Sequence, residues 1–268
     1  MASATGTTTQ PGQTISANGL NMYYEEYGSG EPLVLVHGGL GTSADWAPQI
    51  PLLSKHFQVF VPDSRGHGKT NNPSGELSYR LMADDLAAFI HGLGLHQPLV
   101  CGYSDGGQIA LELGMRYPGL AKALVVGAAW FSYSEEHLLK PARAFGFEGP
   151  RVVNFERAEE VMGQGLHKHH PQDPDYWKTL LIQISVVWLT PLGYTAQDFE
   201  RIVAPALILV GDRDDFIPLE EAVSMYRLMP NAELAVAPNS NHDFPGRRPE
   251  LFTNLVLDFL LRHRTQAQ

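Results

Sequence analysis

Apolar positions along this chain fall into two kinds of run. Short stretches, Leu33 to Val36, Phe57 to Val61, Leu99 to Cys101, Lys122 to Gly127, Ala206 to Val210 and Ala232 to Val236, read as strands, and the continuous apolar run Leu33 to Val36 reads as one covered on both faces, since a half-exposed strand would alternate. Other stretches, Tyr79 to Leu93, Leu219 to Leu228 and Pro249 to Arg262, repeat their apolar residues at helical spacing, as Leu81, Met82, Leu86, Phe89 and Ile90 do. Strands that alternate with helices predict a mostly parallel sheet with helices on both faces. The beginning differs. Thr14 to Ser16 and Asn21 to Tyr27 are β-prone runs joined through Asn18-Gly19, a dipeptide that favours a tight hairpin, so the sheet is expected to start antiparallel.

One segment breaks the rhythm. Between Ala129 and Arg201 no convincing strand pattern occurs, but helical patterns run over Glu135 to Phe145, Phe155 to His169 and Asp175 to Leu189. A structureless loop of that length is improbable in a compact domain. Residues 130–200 are therefore expected to form a helical cap over the carboxyl edge of the sheet, with residues 14–129 and 201–268 as the core. Aromatic residues of this segment, among them Trp130, Trp177 and Trp188, exceed what a solvated excursion needs, and some are expected to line a pocket. Met1 to Gln13 is Thr/Ala/Gly-rich, lacks the basic and apolar regions of a signal peptide, and reads as a disordered tail.

Composition narrows the class without changing the fold. With 268 residues, 44% of them hydrophobic, the chain can bury the core of one large α/β domain carrying an insertion. A net charge of -10, with no basic run longer than Arg247-Arg248, argues against a nucleic-acid partner. No stretch is long and apolar enough to span a membrane. A single cysteine, Cys101, excludes an internal disulfide and fits a reducing, cytoplasmic setting, where it serves as a small buried hydrophobe.

Candidate chemistry centres on Leu99 to Ala110, which reads as a buried strand, a tight turn and a helix start. Ser104 sits at the turn between Gly102 and Gly106, in a G-x-S-x-G arrangement whose glycines tolerate a strained backbone, and the helix N-terminus directs free N–H groups toward it. A serine hydroxyl is a weak nucleophile, so it needs a base, and the base needs an orienting carboxylate. Gly211 to Pro218 follows one strand and holds Asp212, Asp214 and Asp215. Pro238 to Pro245 follows the next and holds one histidine, His242. His37 and His67 read as loop-ordering residues. His167, His169 and His170 form a cluster without cysteines or acids at ligand spacing, so the surface or a cap-helix terminus is the expected setting and neither a metal nor another cofactor is expected.

These features together resemble a serine member of the α/β-hydrolase superfamily with a helical cap after the sixth strand. The resemblance rests on His37-Gly38-Gly39, Asp63 to Gly68, Gly102 to Gly107, Gly211-x-x-Asp214-x-x-x-Pro218 and Asn241-His242, and covers nearly everything from Tyr24 to Arg262. It implies a mostly parallel eight-stranded sheet flanked by helices, with Ser104, Asp214 and His242 as a triad in the chain order of that fold. The family spacing selects Asp214 over its neighbours. The backbone N–H groups of Gly39 and Asp105 are the implied oxyanion hole, with the Asp105 side chain expected to cap the helix. Tyr103, Trp130, Trp177 and Trp188 are the expected substrate contacts, and the cap is expected to select substrates while contributing none of the triad. The implied activity is hydrolysis of a small, moderately apolar ester or lactone through an acyl-serine intermediate. Carbon–carbon hydrolysis of a β-diketone-like compound, acyl transfer or perhydrolysis, and a ligand receptor on the same fold stay open.

Overall fold

The computed structural model describes residues 12–132, 142–170 and 172–265. Eight strands form the main sheet, β1 (Gln13–Ala17), β2 (Leu20–Gly28), β3 (Pro32–Val36), β4 (Gln58–Pro62), β5 (Leu99–Tyr103), β6 (Ala123–Gly127), β9 (Ala206–Gly211) and β10 (Ala232–Ala237). Their spatial order is β1-β2-β4-β3-β5-β6-β9-β10, antiparallel across β1, β2 and β4 and parallel thereafter. The mostly parallel eight-stranded sheet inferred from the sequence is therefore the observed one. Asn18 and Gly19 turn the first hairpin with φ of 48° and 76°, the paired positive angles that match strand twist in a two-residue loop.

The interior strands are apolar throughout because helices cover both their faces. Leu33, Val34, Leu99, Val100, Cys101, Val125 and Leu209 are all fully buried. The helices Tyr79–Gly92 and Asp105–Arg116 lie against the sheet. The first begins at Ser78, whose hydroxyl accepts a hydrogen bond from Leu81 N at 3.1 Å. The last helix, Pro249–His263, buries Phe252 and Phe259, each worth about 1.5–3 kcal/mol of apolar burial. Among the described residues no helix is long and apolar enough to cross a membrane.

The segment between β6 and β9 is helical in large part. It contains the helices Phe155–Met162, Tyr176–Trp188 and Ala196–Glu200, with a 3-10 stretch at Gly163–Lys168. It also contains a small antiparallel hairpin, β7 (Phe147–Gly149) with β8 (Val152–Val153), where no strand is expected from the apolar pattern. Strands of two and three residues leave no alternation to detect. The helix expected over Glu135 to Phe145 falls mainly on 133–141, outside the described residues, as does most of the expected N-terminal tail. Gln13 already belongs to β1.

The insertion is tied to the core where it leaves and where it returns. Glu221 accepts from Phe131 N and Ser132 N at 2.7 and 2.8 Å, and Tyr194 donates to the buried Glu112 at 2.7 Å. Between these ends, His170 bonds the loop after β4 through its backbone N–H to Gly68 O and its Nε2 to Thr70 O. That loop is stiff in its own right. Asp63 accepts from Ser43 N and Lys69 N, and a buried Arg65–Asp85 ion pair closes at 2.6 Å.

Candidate active site

Four loops at the carboxyl edge of the parallel strands meet at one point, where an open α/β sheet places its ligands. They follow β3, β5, β9 and β10. After β5 the chain turns at Ser104 with φ 57° and ψ -121°, a conformation a side-chain-bearing residue adopts only when its surroundings enforce it, at a cost of about 1–3 kcal/mol. The enforcement is steric: a Cβ at Gly102 would run into the Gly106 carbonyl, and one at Gly106 into the Val36 carbonyl. Helix Asp105–Arg116 starts immediately after Ser104, so its first N–H groups face the serine hydroxyl.

Ser104, His242 and Asp214 lie in one hydrogen-bonded line. His242 Nε2 is 3.0 Å from Ser104 Oγ, and His242 Nδ1 is 2.9 and 3.0 Å from the two oxygens of Asp214. The Asp214 side chain is completely buried and also accepts from Phe216 N and Ile217 N at 2.9 Å. That fixes the tautomer: Nδ1–H faces the carboxylate and Nε2 offers its lone pair to the hydroxyl. Asp212 and Asp215 are exposed, and Asp212 accepts from Ser240 N at 3.1 Å, where it holds the neighbouring loop.

Gly39 lies in the loop after β3. Gly41 N donates to Gly38 O at 3.0 Å and Leu40 takes φ 56°, a tight turn that a Cβ at Gly39 would disrupt by meeting the Asp105 carboxylate and, at 2.7 Å, the Trp188 ring. His37 serves this loop, bonding Gly38 O through Nδ1 at 2.7 Å and accepting from Ser64 N at Nε2. Asp105 departs from expectation. Its carboxylate caps no helix N–H group but accepts from Tyr79 Oη at 2.8 Å and from Trp188 Nε1 at 2.9 and 3.0 Å. Burial pushes this carboxyl above the usual range, and the bonds from Trp188 and Tyr79 pull it back only in part.

Above the serine lies a cavity of about 710 Å³. Its wall is mostly apolar, from Phe145, Leu166, Val187, Trp188, Leu192 and Phe216, and its mouth carries Lys168, Asp243 and Arg247. Lys168 is paired with Asp45 and Arg247 with Asp243. Trp130 and Trp188 line the cavity as the sequence suggested. Two other expected substrate contacts sit elsewhere. Trp177 is buried inside the insertion against Phe155 and His167, and Tyr103 lies behind His242, edge-on to Phe244 and Phe252, with its hydroxyl unpaired. Tyr103 precedes the turn on β5, so its side chain follows the strand into the core rather than the serine into the cavity. Sequence reasoning did not single out Tyr79 or Phe216. Phe216 stacks on His242 at 4.9 Å and its place two residues after Asp214 was the available signal, whereas Tyr79 reaches Asp105 across 26 residues with no local mark.

The three neighbouring histidines of the insertion diverge. His167 meets Glu159 and His170 bonds Thr70 O, whereas His169, against the surface setting expected for it, is buried because its ring bridges two core loops at Gly68 N and Leu40 O. Among the described residues no group of three or more histidine, cysteine or acidic side chains converges as metal ligands would.

Comparison with known proteins places this geometry in context. A family profile described as the alpha/beta hydrolase family matches residues 33–255. The chain is 28% identical to 2-hydroxy-6-oxo-2,4-heptadienoate hydrolase of Pseudomonas putida, covering 93% of this chain and 96% of that protein. Among solved structures it resembles a thermophilic esterase from Thermogutta terrifontis, with TM-score 0.71 and 26% identity over 97% of this chain and all of that one. It also superimposes on the enol-lactonase of Burkholderia xenovorans, with TM-score 0.73 and 22% identity over 92% and 99% of the two chains.

Proposed function

The chain belongs to the alpha/beta hydrolase family, and from that premise we propose that it is a serine hydrolase cleaving small, moderately apolar carboxylic esters or lactones. The observation that carries this reading is the 3.0 Å approach of His242 Nε2 to Ser104 Oγ on the cavity floor, with Asp214 buried behind the imidazole. In this mechanism His242 takes the Ser104 proton as Oγ attacks the substrate carbonyl, and the oxyanion accepts hydrogen bonds from Gly39 N–H and Asp105 N–H. Collapse of the tetrahedral intermediate breaks the ester C–O bond, and the leaving oxygen takes the proton from His242. Water, deprotonated by the same imidazole, then releases the acid from acyl-Ser104. Asp214 keeps the imidazole in its working tautomer and stabilises the imidazolium.

The segment 130–200 serves as the cap in this reading, since it supplies most of the cavity wall while Ser104, Asp214 and His242 all come from core loops. A mostly apolar wall, with Lys168 and Arg247 paired and the buried Asp105 carboxylate already bonded to Tyr79 and Trp188, favours an acyl group without net charge. The single, fully buried Cys101 is consistent with the reducing, cytoplasmic setting proposed for it.

One relative favours a second reading. The Pseudomonas putida protein is named a 2-hydroxy-6-oxo-2,4-heptadienoate hydrolase, so carbon–carbon hydrolysis of a β-diketone-like compound by the same triad is the alternative. A panel of p-nitrophenyl esters of graded chain length, simple lactones and a β-diketone, run with wild type and Ser104→Ala, separates the readings. Turnover of esters or lactones that vanishes in the variant supports the main reading. Turnover of the diketone alone replaces it with the alternative, and turnover of nothing leaves the fold as a ligand receptor.

A further inference from the structure

The loop that carries Gly39 is held from two sides, and one side is the insertion. From the core, His37 and the Gly41-to-Gly38 hydrogen bond close its turn. From the insertion come Trp188 and His169. Trp188 ends the helix Tyr176–Trp188, stands edge to face with Phe147 at 5.1 Å, and donates Nε1–H to both oxygens of Asp105 while its ring edge lies over Gly39. His169 is buried and makes two bonds of opposite sense. Its Nδ1 accepts from Gly68 N at 2.9 Å, which leaves Nε2–H to donate to Leu40 O at 3.1 Å. Burial holds this imidazole neutral, down to about 3, as the two-sided bonding requires.

These contacts converge on the two residues whose N–H groups would receive an oxyanion. Trp188 fixes Asp105 and covers Gly39; His169 fixes the residue after Gly39. Hydrogen-bond donors stabilise an oxyanion strongly only when they are aimed before charge develops, and a displacement of about 1 Å is enough to cost about 100-fold in rate. We propose that Trp188 and His169 are positioning residues of the oxyanion hole, so that the insertion sets the geometry of the reaction as well as the shape of the cavity. This rests on the serine hydrolase reading and revises the expectation that chemistry and selection belong to separate segments.

The test uses p-nitrophenyl acetate, whose acyl group is too short to gain from the aromatic wall. Trp188→Phe keeps a ring against Phe147 and removes only the N–H donor. His169→Gln retains an amide donor able to reach Leu40 O, and His169→Ala retains none. Trp188→Phe and His169→Ala are expected to lower kcat about 10- to 100-fold with KM changed less than about 3-fold, short of the 100- to 1,000-fold cost of deleting an oxyanion donor outright. His169→Gln is expected to recover most of the loss. Affinity for phenylboronic acid, whose tetrahedral adduct on Ser104 places an oxygen in the hole, should fall with kcat in Trp188→Phe. Should His169→Ala not fold, Trp188→Phe decides the matter alone. A folded Trp188→Phe or His169→Ala that keeps wild-type kcat on the acetyl ester, or that loses kcat without losing boronate affinity, overturns the proposal. A wild-type protein that turns over no ester through Ser104 takes the underlying reading down with it, so the two failures are told apart by the wild-type control.

Discussion

The floor and the roof of the cavity are built by different means. On the floor, Ser104, Asp214 and His242 sit one to five residues beyond the ends of parallel strands, and their partners are other core loops: His242 reaches Asp214 and Ser104 through bonds of 2.9 to 3.0 Å. In the roof, apolar side chains come from helices and the loops that join them, and polar contact with the floor is made at a few points, notably Trp188 on Asp105 and His169 on Leu40. A strand end fixes a side chain because its backbone is paired to its neighbours, on both sides for β5 and β9 and on one side for the edge strand β10. A helix laid over a sheet is fixed only by what its side chains touch. Changes on the floor should therefore appear as lost chemistry with the fold retained, and changes in the roof as altered selectivity or lost stability, except at Trp188 and His169, where the roof touches Asp105 and Leu40 beside the oxyanion hole.

The largest expected effect breaks the floor. Asp214→Asn should lower kcat by about 10,000-fold because the amide favours the wrong tautomer of His242, while Asp212→Asn and Asp215→Asn, at exposed positions, stay within about 3-fold. Steady-state kinetics on a p-nitrophenyl ester, with thermal melts alongside, checks all three.

In the roof, two aromatics separate packing from selection. Trp177→Ala should destabilise the protein by about 3–5 kcal/mol, through the cavity it leaves beside Phe155, without reordering substrates. Phe145→Ala, at a residue that lines the cavity against Phe216, should reorder them by about 1–3 kcal/mol, with long acyl groups losing most. Denaturant melts and kcat/KM over an ester series read the two outcomes. If Trp177→Ala shifted selectivity while Phe145→Ala did not, the assignment of wall and packing would be reversed.

The difference also explains what the sequence could disclose. Strands β3, β5, β6 and β9 were legible because burial on both faces writes an uninterrupted apolar run. That Ser104, Asp214 and His242 would meet was legible because each lies in a loop that follows a parallel strand, β5, β9 and β10 in turn. The contacts of the roof were not: Trp188 meets Asp105 across 83 residues and His169 meets Leu40 across 129, and neither spacing leaves a local pattern. For the same reason Trp177 and Trp188 looked alike as sequence, although one is packed inside the insertion and the other lies over Gly39. The roles expected for His37 and His67 as loop-ordering residues correspond to bonds with Gly38 O, Ser64 N and Arg65 O.

A smaller effect is expected from pH. His169 is held neutral down to about 3 and His67 is also pushed well below its ordinary range, both chiefly by burial. Their folded pKa values lie below the unfolded one, near 6.5, so the unfolded chain binds more protons between these limits. Stability is then full above pH 6.5 and falls as pH drops, by about 1.4 kcal/mol per pH unit for each histidine. Replacing His169 by Gln should flatten the acid limb of a stability–pH curve by one such slope; an unchanged limb would show that the residue titrates normally.

The smallest effect concerns Tyr103. Among the described residues its buried hydroxyl has no partner, so Tyr103→Phe should leave KM unchanged and alter stability by less than about 1 kcal/mol. A several-fold rise in KM would restore Tyr103 as a substrate contact.

The central claim, that Ser104 is the nucleophile activated by His242, is tested most directly by intact-protein and peptide mass spectrometry after brief exposure to a fluorophosphonate. The account predicts a single adduct located on Ser104, absent in Ser104→Ala and formed far more slowly in His242→Ala. An adduct on another residue, or labelling of Ser104 at an undiminished rate without His242, would contradict it.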